Sequence, residues 1–188
     1  MSAISEILKH NKARSLFGRK LQQSWGSMWI LEKMLSNYKP DKIVELGTGS
    51  GTLMVYFSAY VLLNDIQDGY ITIDIKEPEI KVEGAKFQKM DIYDKNTVST
   101  LSDFLNTAER PFILVDGKDP KSTEVNLYAP SLKKGTVMFA HDAIIRPDKS
   151  FKWGFTEDKI DWNIVERYEP YYGWAKELDA RMLCVVKK

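Results

Sequence analysis

Cysteine and histidine are nearly missing from this chain: one cysteine, Cys184, and two histidines stand among 188 residues. A single thiol excludes an internal disulfide and a thiolate metal cluster. Cys184 lies in the apolar run Met182–Val186, which predicts a buried structural thiol. An excess of charge of one sign is missing too: 27 Lys+Arg face 26 Asp+Glu, which speaks against dedicated nucleic-acid binding. No apolar run approaches the ~20 residues of a membrane span. The first residues lack the apolar core and cleavage site of a signal peptide. A cytoplasmic, reducing location is therefore expected, with no membrane partner. The remainder, 44% hydrophobic and 28% charged, is the composition of a globular chain. Its length suits one domain with a full-sized core.

The densest signal runs from Lys42 to Gly51 (KIVELGTGSG), a short apolar strand ending in three glycines at alternate positions. Glycine is needed there for a tight turn before a helix and for close approach of a ligand to main-chain N–H groups. Around it the apolar periodicity alternates between strand and helix. A helix is predicted from Leu21 through Leu35, with Gln22, Gln23, Ser24 and Trp25 able to rim a pocket. A buried helix follows over Leu53–Leu63, then strands Tyr70–Ile75 and, more weakly, Lys86–Met90. Helix Val98–Ala108, strand Pro111–Val115, helix Glu124–Leu132 and strand Thr136–Ala140 come next. Asn163–Tyr168 and Arg181–Lys187 read as strands joined by an aromatic link without a good helix. The expected fold is α/β: a doubly wound, Rossmann-like, mostly parallel sheet of about seven strands with an antiparallel C-terminal hairpin. A single domain over residues 1–188 is expected, with 1–20 forming an N-terminal helix or an arm.

In such sheets ligands bind beyond the carboxyl ends of the strands. Those ends supply Glu45 and the glycine loop, Asp74, Met90 with Asp91, Asp116, and His141 with Asp142. Each alone reads as an ordinary cap or turn residue; the set in register points to a site. Asp74 stands one strand-helix-strand unit beyond the glycines, where a carboxylate accepts both ribose hydroxyl protons of an adenosine-containing cofactor. The dinucleotide fingerprint needs a third glycine where Thr52 stands, so a nicotinamide-dependent oxidoreductase is the weaker alternative. A non-catalytic cofactor-binding protein is a further alternative.

The stretch Val44–Gly51 (VELGTGSG), with Tyr70–Asp74 (YITID) and Met90-Asp91, resembles the ordered motifs of class I S-adenosylmethionine-dependent methyltransferases. The resemblance covers residues 25–188. It implies that Glu45 and the backbone of Gly47, Thr48, Gly49, Ser50 and Gly51 hold the methionine moiety of S-adenosylmethionine. Asp74 would hold the ribose, Met90 would lie beside the adenine, and Asp91 would bond its amino group. Asp116, at the end of the fourth strand, is a further candidate for the cofactor site.

Val115–Asp119 and Leu132–Asp142 resemble the small-molecule O-methyltransferases, both the catechol type and the branch that modifies sugars and natural products. That implies O-methylation of a small hydroxylated acceptor, assisted by a divalent cation (Mg²⁺ or a softer ion) at Asp116, His141 and Asp142. A cation there would lower a hydroxyl's pKa and orient it. His141 stands where the catechol type has a carboxylate, and imidazole is a poor Mg²⁺ ligand. Three roles are open to it: ligand of a softer ion such as Mn²⁺, Fe²⁺ or Zn²⁺, general base, or hydrogen-bond partner of Asp142 or Asp116. Lys118 is the catalytic lysine candidate beside Asp116, with Lys121 further along the loop. The Asn/Asp-Pro-Pro-aromatic motif of base-directed N-methyltransferases is absent after Val115. The aromatic region from Phe151 through Trp174 would form either a stacking wall for the acceptor or packing and a homodimer interface.

Overall fold

The computed structural model describes residues 15–16, 19–20, 23–118, 120–143, 159–178 and 180–188. Strands β1 (Ser15–Leu16) and β2 (Arg19–Lys20) pair in a small antiparallel ladder; the rest of the expected N-terminal helix or arm lies outside the described residues. Helix α1 (Trp25–Tyr38) starts where the Ser24 Oγ accepts the Ser27 N–H at 3.0 Å, satisfying one of the free N–H groups of the first turn. It ends at Lys39 in the left-handed region.

The alternation that follows builds the sheet: β3 (Lys42–Leu46), α2 (Thr52–Leu63), β4 (Tyr70–Asp74), β5 (Lys86–Lys89), α3 (Lys95–Asn106), β6 (Pro111–Val115), α4 (Lys121–Tyr128), β7 (Val137–His141), β8 (Val165–Arg167), α5 (Tyr171–Glu177) and β9 (Met182–Lys187). Seven strands stand in the order β5-β4-β3-β6-β7-β9-β8. All pairs from β5 to β7 are parallel, and β9 pairs antiparallel with both β7 and β8. Parallel strands covered on both faces must be apolar throughout, and Ile43, Val44, Leu46, Phe112, Ile113, Leu114, Val115, Val137, Met138 and Phe139 are all buried. Cys184 is a buried thiol in β9, as its apolar neighbours predict.

The chain runs outward from β3 to β5, then returns to β6 on the other side of β3. The reversal point between β3 and β6 is where loops diverge and leave a crevice.

Three expectations need correction. The link between β8 and β9 contains helix α5, in which Tyr171, Tyr172 and Ala175 are buried. Aromatic residues spaced for packing had hidden the helical period. Helix α4 stops at Tyr128 and tightens into a 3₁₀ turn over Ala129–Ser131, because Pro130 has no N–H to continue the α ladder. Helix α2 is buried only along one side: Leu62 and Leu63 are 51% and 84% exposed. Among the described residues, no helix is long and apolar enough to cross a membrane.

The aromatic centre of the sheet gives a direct test. Phe112 is fully buried, edge-on to Phe139 at 5.3 Å between centroids and tilted against Phe57 at 6.1 Å. Phe112→Ala is expected to cost about 3–5 kcal/mol in urea unfolding; a loss under ~1 kcal/mol would mean that the core closes around the gap.

Candidate active site

The glycine loop is bent at its first residue. The Gly47 and Thr48 N–H groups both donate to the Ile73 carbonyl, at 2.9 and 3.2 Å, drawing the loop towards β4. Gly47 has φ +93°, and a Cβ there would lie 2.8 Å from the Asp116 carbonyl carbon and closer still to its oxygen. Gly49 also has positive φ but no atom lies within 4 Å of its would-be Cβ. Its N–H donates to Asp74 Oδ2 at 3.0 Å, while Lys76 N–H donates to Asp74 Oδ1 at 3.0 Å. The sheet thus brings Asp74 to the loop, with a further lone pair on each carboxylate oxygen. Met90 N–H bonds the Asp74 carbonyl at 3.1 Å, setting the end of β5 beside it. Asp91 is exposed, its Oδ1 accepting the Tyr93 N–H at 2.9 Å. The Ser50 and Thr52 hydroxyls are in contact at 3.1 Å where α2 begins.

Glu45 lies beneath the glycine loop. It is 1% exposed inside the sheet, with Oε2 accepting from the Tyr70 hydroxyl and, at 2.7 Å, from the Thr72 hydroxyl. With that proton given to Glu45, Thr48 Oγ1 donates to Thr72 Oγ1 at 2.6 Å. Glu45 therefore braces the glycine loop from below. Burial pushes its carboxyl up to about 8, outweighing the hydrogen bonds from Thr72 and Tyr70, and the charges of Asp116 and Asp74 act in the same direction.

Across the reversal point stands the second group. Asp116, His141 and Asp142 each offer a ligand atom within 4.8 Å of the others. His141 Nδ1 lies 3.3 Å from Asp116 Oδ1 and 3.8 Å from Asp142 Oδ1. His141 ends β7 and is buried; Asp142 follows with φ +55°, a left-handed turn that aspartate tolerates. Burial alone would lower the His141 pKa, but the charge and hydrogen bond of Asp116, with the charge of Asp142, outweigh it and hold it above the ordinary imidazole value. Gln23, 3% exposed just before α1, donates from Nε2 to Asp116 Oδ2 at 3.0 Å. Its place among expected pocket-rim residues becomes a specific contact.

Lys118 does not join this group; it is exposed on the bend after Gly117. The buried lysine is Lys121, whose Nζ donates to the Gly117 carbonyl and lies 3.7 Å from Glu124 Oε2. Glu124, fully buried, also accepts the Gly117 N–H at 3.2 Å and the Tyr93 hydroxyl at 2.7 Å. Glu124 and Tyr93 escaped the sequence reading. An acid three residues after Lys121 at the first turn of a helix was the available sign. In the aromatic region, residues 151–158 lie outside the described residues. Tyr168 and Tyr171 stack at 5.0 Å, and Trp174 meets Tyr171 and Trp29 edge-on at 5.4 and 5.1 Å. These rings pack α5 on α1.

Two measurements probe the loop. A carboxyl with a folded pKa of about 8 against an ordinary value of 4.5 binds more protons folded than unfolded between those values, so it makes stability fall as pH rises. Glu45→Gln is expected to remove that decline in urea unfolding curves taken across the interval; an unchanged slope would place the proton elsewhere. Gly47→Ala is expected to lose at least ~2 kcal/mol in thermal melts, since backbone must move, whereas Gly49→Ala should cost only about 1 kcal/mol. Equal losses would contradict the contact with Asp116.

Comparison with known proteins bears on the family and the fold. A family model described as rhamnosyl O-methyltransferase/CmcI matches residues 9–169. A CmcI structure with Mg and SAM is similar at TM-score 0.69 and 17% identity, over 92% of this chain and 75% of that one. A SAH-bound CmcI structure gives TM-score 0.62 and 16% identity, over 93% and 81%. The CMeT domain of the citrinin polyketide synthase gives TM-score 0.51 and 13% identity, over 87% and 53%. At these identities the likeness is one of fold. No curated protein matches the sequence. The family match spans most of the chain, over the glycine loop, Asp74 and the Asp116–His141–Asp142 group alike: the chain belongs to the rhamnosyl O-methyltransferase/CmcI family and is a class I S-adenosylmethionine-dependent O-methyltransferase.

Proposed function

We propose that this enzyme methylates a hydroxyl of a small acceptor, a sugar or natural-product alcohol, held at a divalent cation between Asp116, His141 and Asp142. The observation that carries the reading is the convergence of those three ligand atoms within 4.8 Å, on the far side of the reversal point from the glycine loop. The family description, which names rhamnosyl O-methylation, and the CmcI structure solved with Mg and SAM support it.

The residues divide the task. Gly47–Gly51 and Asp74 would take the methyl donor, whose sulfonium supplies an electrophilic methyl group. Asp91 lies one residue beyond Met90 for the adenine amino group. A divalent cation would polarise the acceptor hydroxyl and lower its pKa. The acceptor oxygen would give its proton to solvent and take the methyl in line as the sulfur–methyl bond breaks and S-adenosylhomocysteine leaves, a step governed mainly by positioning. Asp116 links the two halves, because its carbonyl abuts Gly47 while its carboxylate belongs to the cluster. Lys121 and Glu124 pin Gly117, fixing the loop that carries Asp116.

The 3.3 Å contact between His141 Nδ1 and Asp116 Oδ1 favours a second reading, in which Asp116 orients His141 as a general base without a metal. Formation of S-adenosylhomocysteine over a panel of hydroxylated acceptors, with and without a chelator, separates them. Chelation is expected to abolish turnover reversibly. Asp142→Ala is expected to lose at least ~100-fold in kcat with donor affinity unchanged within a few-fold. Turnover that resists the chelator but fails in His141→Ala would establish the base instead.

A further inference from the structure

The donor set of the cluster carries a narrower conclusion, one that rests on the cation-assisted reading above. We infer that Asp116, His141 and Asp142 select a borderline first-row cation, Mn²⁺, Fe²⁺, Co²⁺ or Zn²⁺, over Mg²⁺, and that Gln23 is the positioning residue that sets Asp116 for it.

Geometry comes first. Two ligands at ~2.1 Å from one ion are separated by about 3.0 Å at octahedral and about 3.4 Å at tetrahedral angles. The observed 3.3 Å (His141 to Asp116) lies within that range, and the 3.8 Å (His141 to Asp142) needs only a small contraction to reach it. The imidazole cannot leave the set easily. His141 pairs with Met182 of β9 within the sheet and is 4% exposed, and the following Ala143 N–H is tied to the Arg181 carbonyl at 2.8 Å.

Chemistry then decides the ion. Mg²⁺ demands oxygen donors in near-ideal octahedra and keeps several waters. Imidazole suits Fe²⁺, Co²⁺ and Zn²⁺ far better, and Mn²⁺, the weakest binder of the row, is the one among them most at home with carboxylates. A neutral Nδ1 lone pair facing two carboxylate oxygens is repulsive unless a proton or a cation stands between them. A proton on Nδ1 fills that place in the hydrogen bond to Asp116, and a cation bound there would take the proton's position between the same atoms.

Gln23 supplies an independent observation. Its Nε2 takes up Asp116 Oδ2, leaving Asp116 Oδ1 as the atom turned to His141. Its own Oε1 is buried without a partner among the described residues. A buried amide left half-satisfied costs stability, and its position on the cluster makes sense as the outer support that metal ligands usually require.

The test uses the full chain. Binding of Mn²⁺, Co²⁺ and Mg²⁺ is measured by calorimetry, with and without S-adenosylmethionine. The imidazole signals are followed by NMR on the Co²⁺ form, which is simple because the chain has two histidines. Mn²⁺ and Co²⁺ are expected to bind at least ~100-fold more tightly than Mg²⁺, and His141→Glu to reduce that ratio by about tenfold or more. One paramagnetically shifted imidazole should vanish in that variant. Gln23→Ala should weaken the cation by about 10–100-fold at an unchanged melting temperature. A ratio that His141→Glu leaves unaltered, or Mg²⁺ binding as tightly as Mn²⁺, overturns the selection while cation assistance stands. Unchanged affinity in Gln23→Ala overturns its positioning role. Absence of binding by every ion, together with chelator-resistant turnover, overturns this inference and the cation-assisted reading together.

Discussion

Strands β3 and β6 lie side by side in parallel register, Leu46 opposite Val115, and then part. The rest of the site depends on how closely they stay together for one more residue. The Asp116 N–H still donates to the Leu46 carbonyl at 2.8 Å, so Asp116 is held by the ladder while Gly47 has already turned away. Only a residue without a Cβ fits against the Asp116 carbonyl at that point. The donor loop and the first acid of the cluster are therefore in contact through backbone, with no side chain between them to adjust. A displacement of one is transmitted to the other, which suits a reaction in which the distance between methyl donor and acceptor decides the rate.

Behind each loop lies a buried polar network. Thr48, Thr72, Glu45 and Tyr70 form a chain of hydroxyl and carboxyl groups under the glycines. Glu124 collects Gly117, Tyr93 and Lys121 under the bend that follows Asp116. Buried polar groups are costly unless satisfied, and these, satisfied by one another directly beneath the two loops, stiffen the backbone above them. Glu45 illustrates the arrangement: burial raises its pKa, and its carboxyl accepts from Tyr70 and Thr72 beneath the loop.

The C-terminal elements reach the site through α1. Ser27 Oγ donates to the Ala180 carbonyl at 2.7 Å, and a Cβ on Gly26 would lie 3.4 Å from the Leu178 side chain. The α5 aromatics press on Trp29 from the same side. This packing fixes the first turn of α1, and hence Gln23 two residues before it, against Asp116. Ser27 and Ala180, 153 positions apart, are thus hydrogen-bonded beside this corner.

The strand ends were legible because burial on both faces leaves a continuous apolar run, and a run of that kind stops where the polar site begins. The sequence by itself thereby determined the parallel α/β sheet, the glycine turn and the candidacy of Asp74, Asp116, His141 and Asp142. It also exposed the imidazole in place of a carboxylate. Only the tertiary structure decided that Glu45 points into the sheet, that Lys121 rather than Lys118 is buried, that Gln23 rests on Asp116, and that Tyr171 and Tyr172 are buried while Trp162, Tyr168 and Trp174 pack half-buried against the core. Each of those depends on cross-strand register and on which side of a loop a side chain is carried. Periodicity is a property of neighbours in the chain, whereas these contacts are between residues brought together by the sheet's reversal of order.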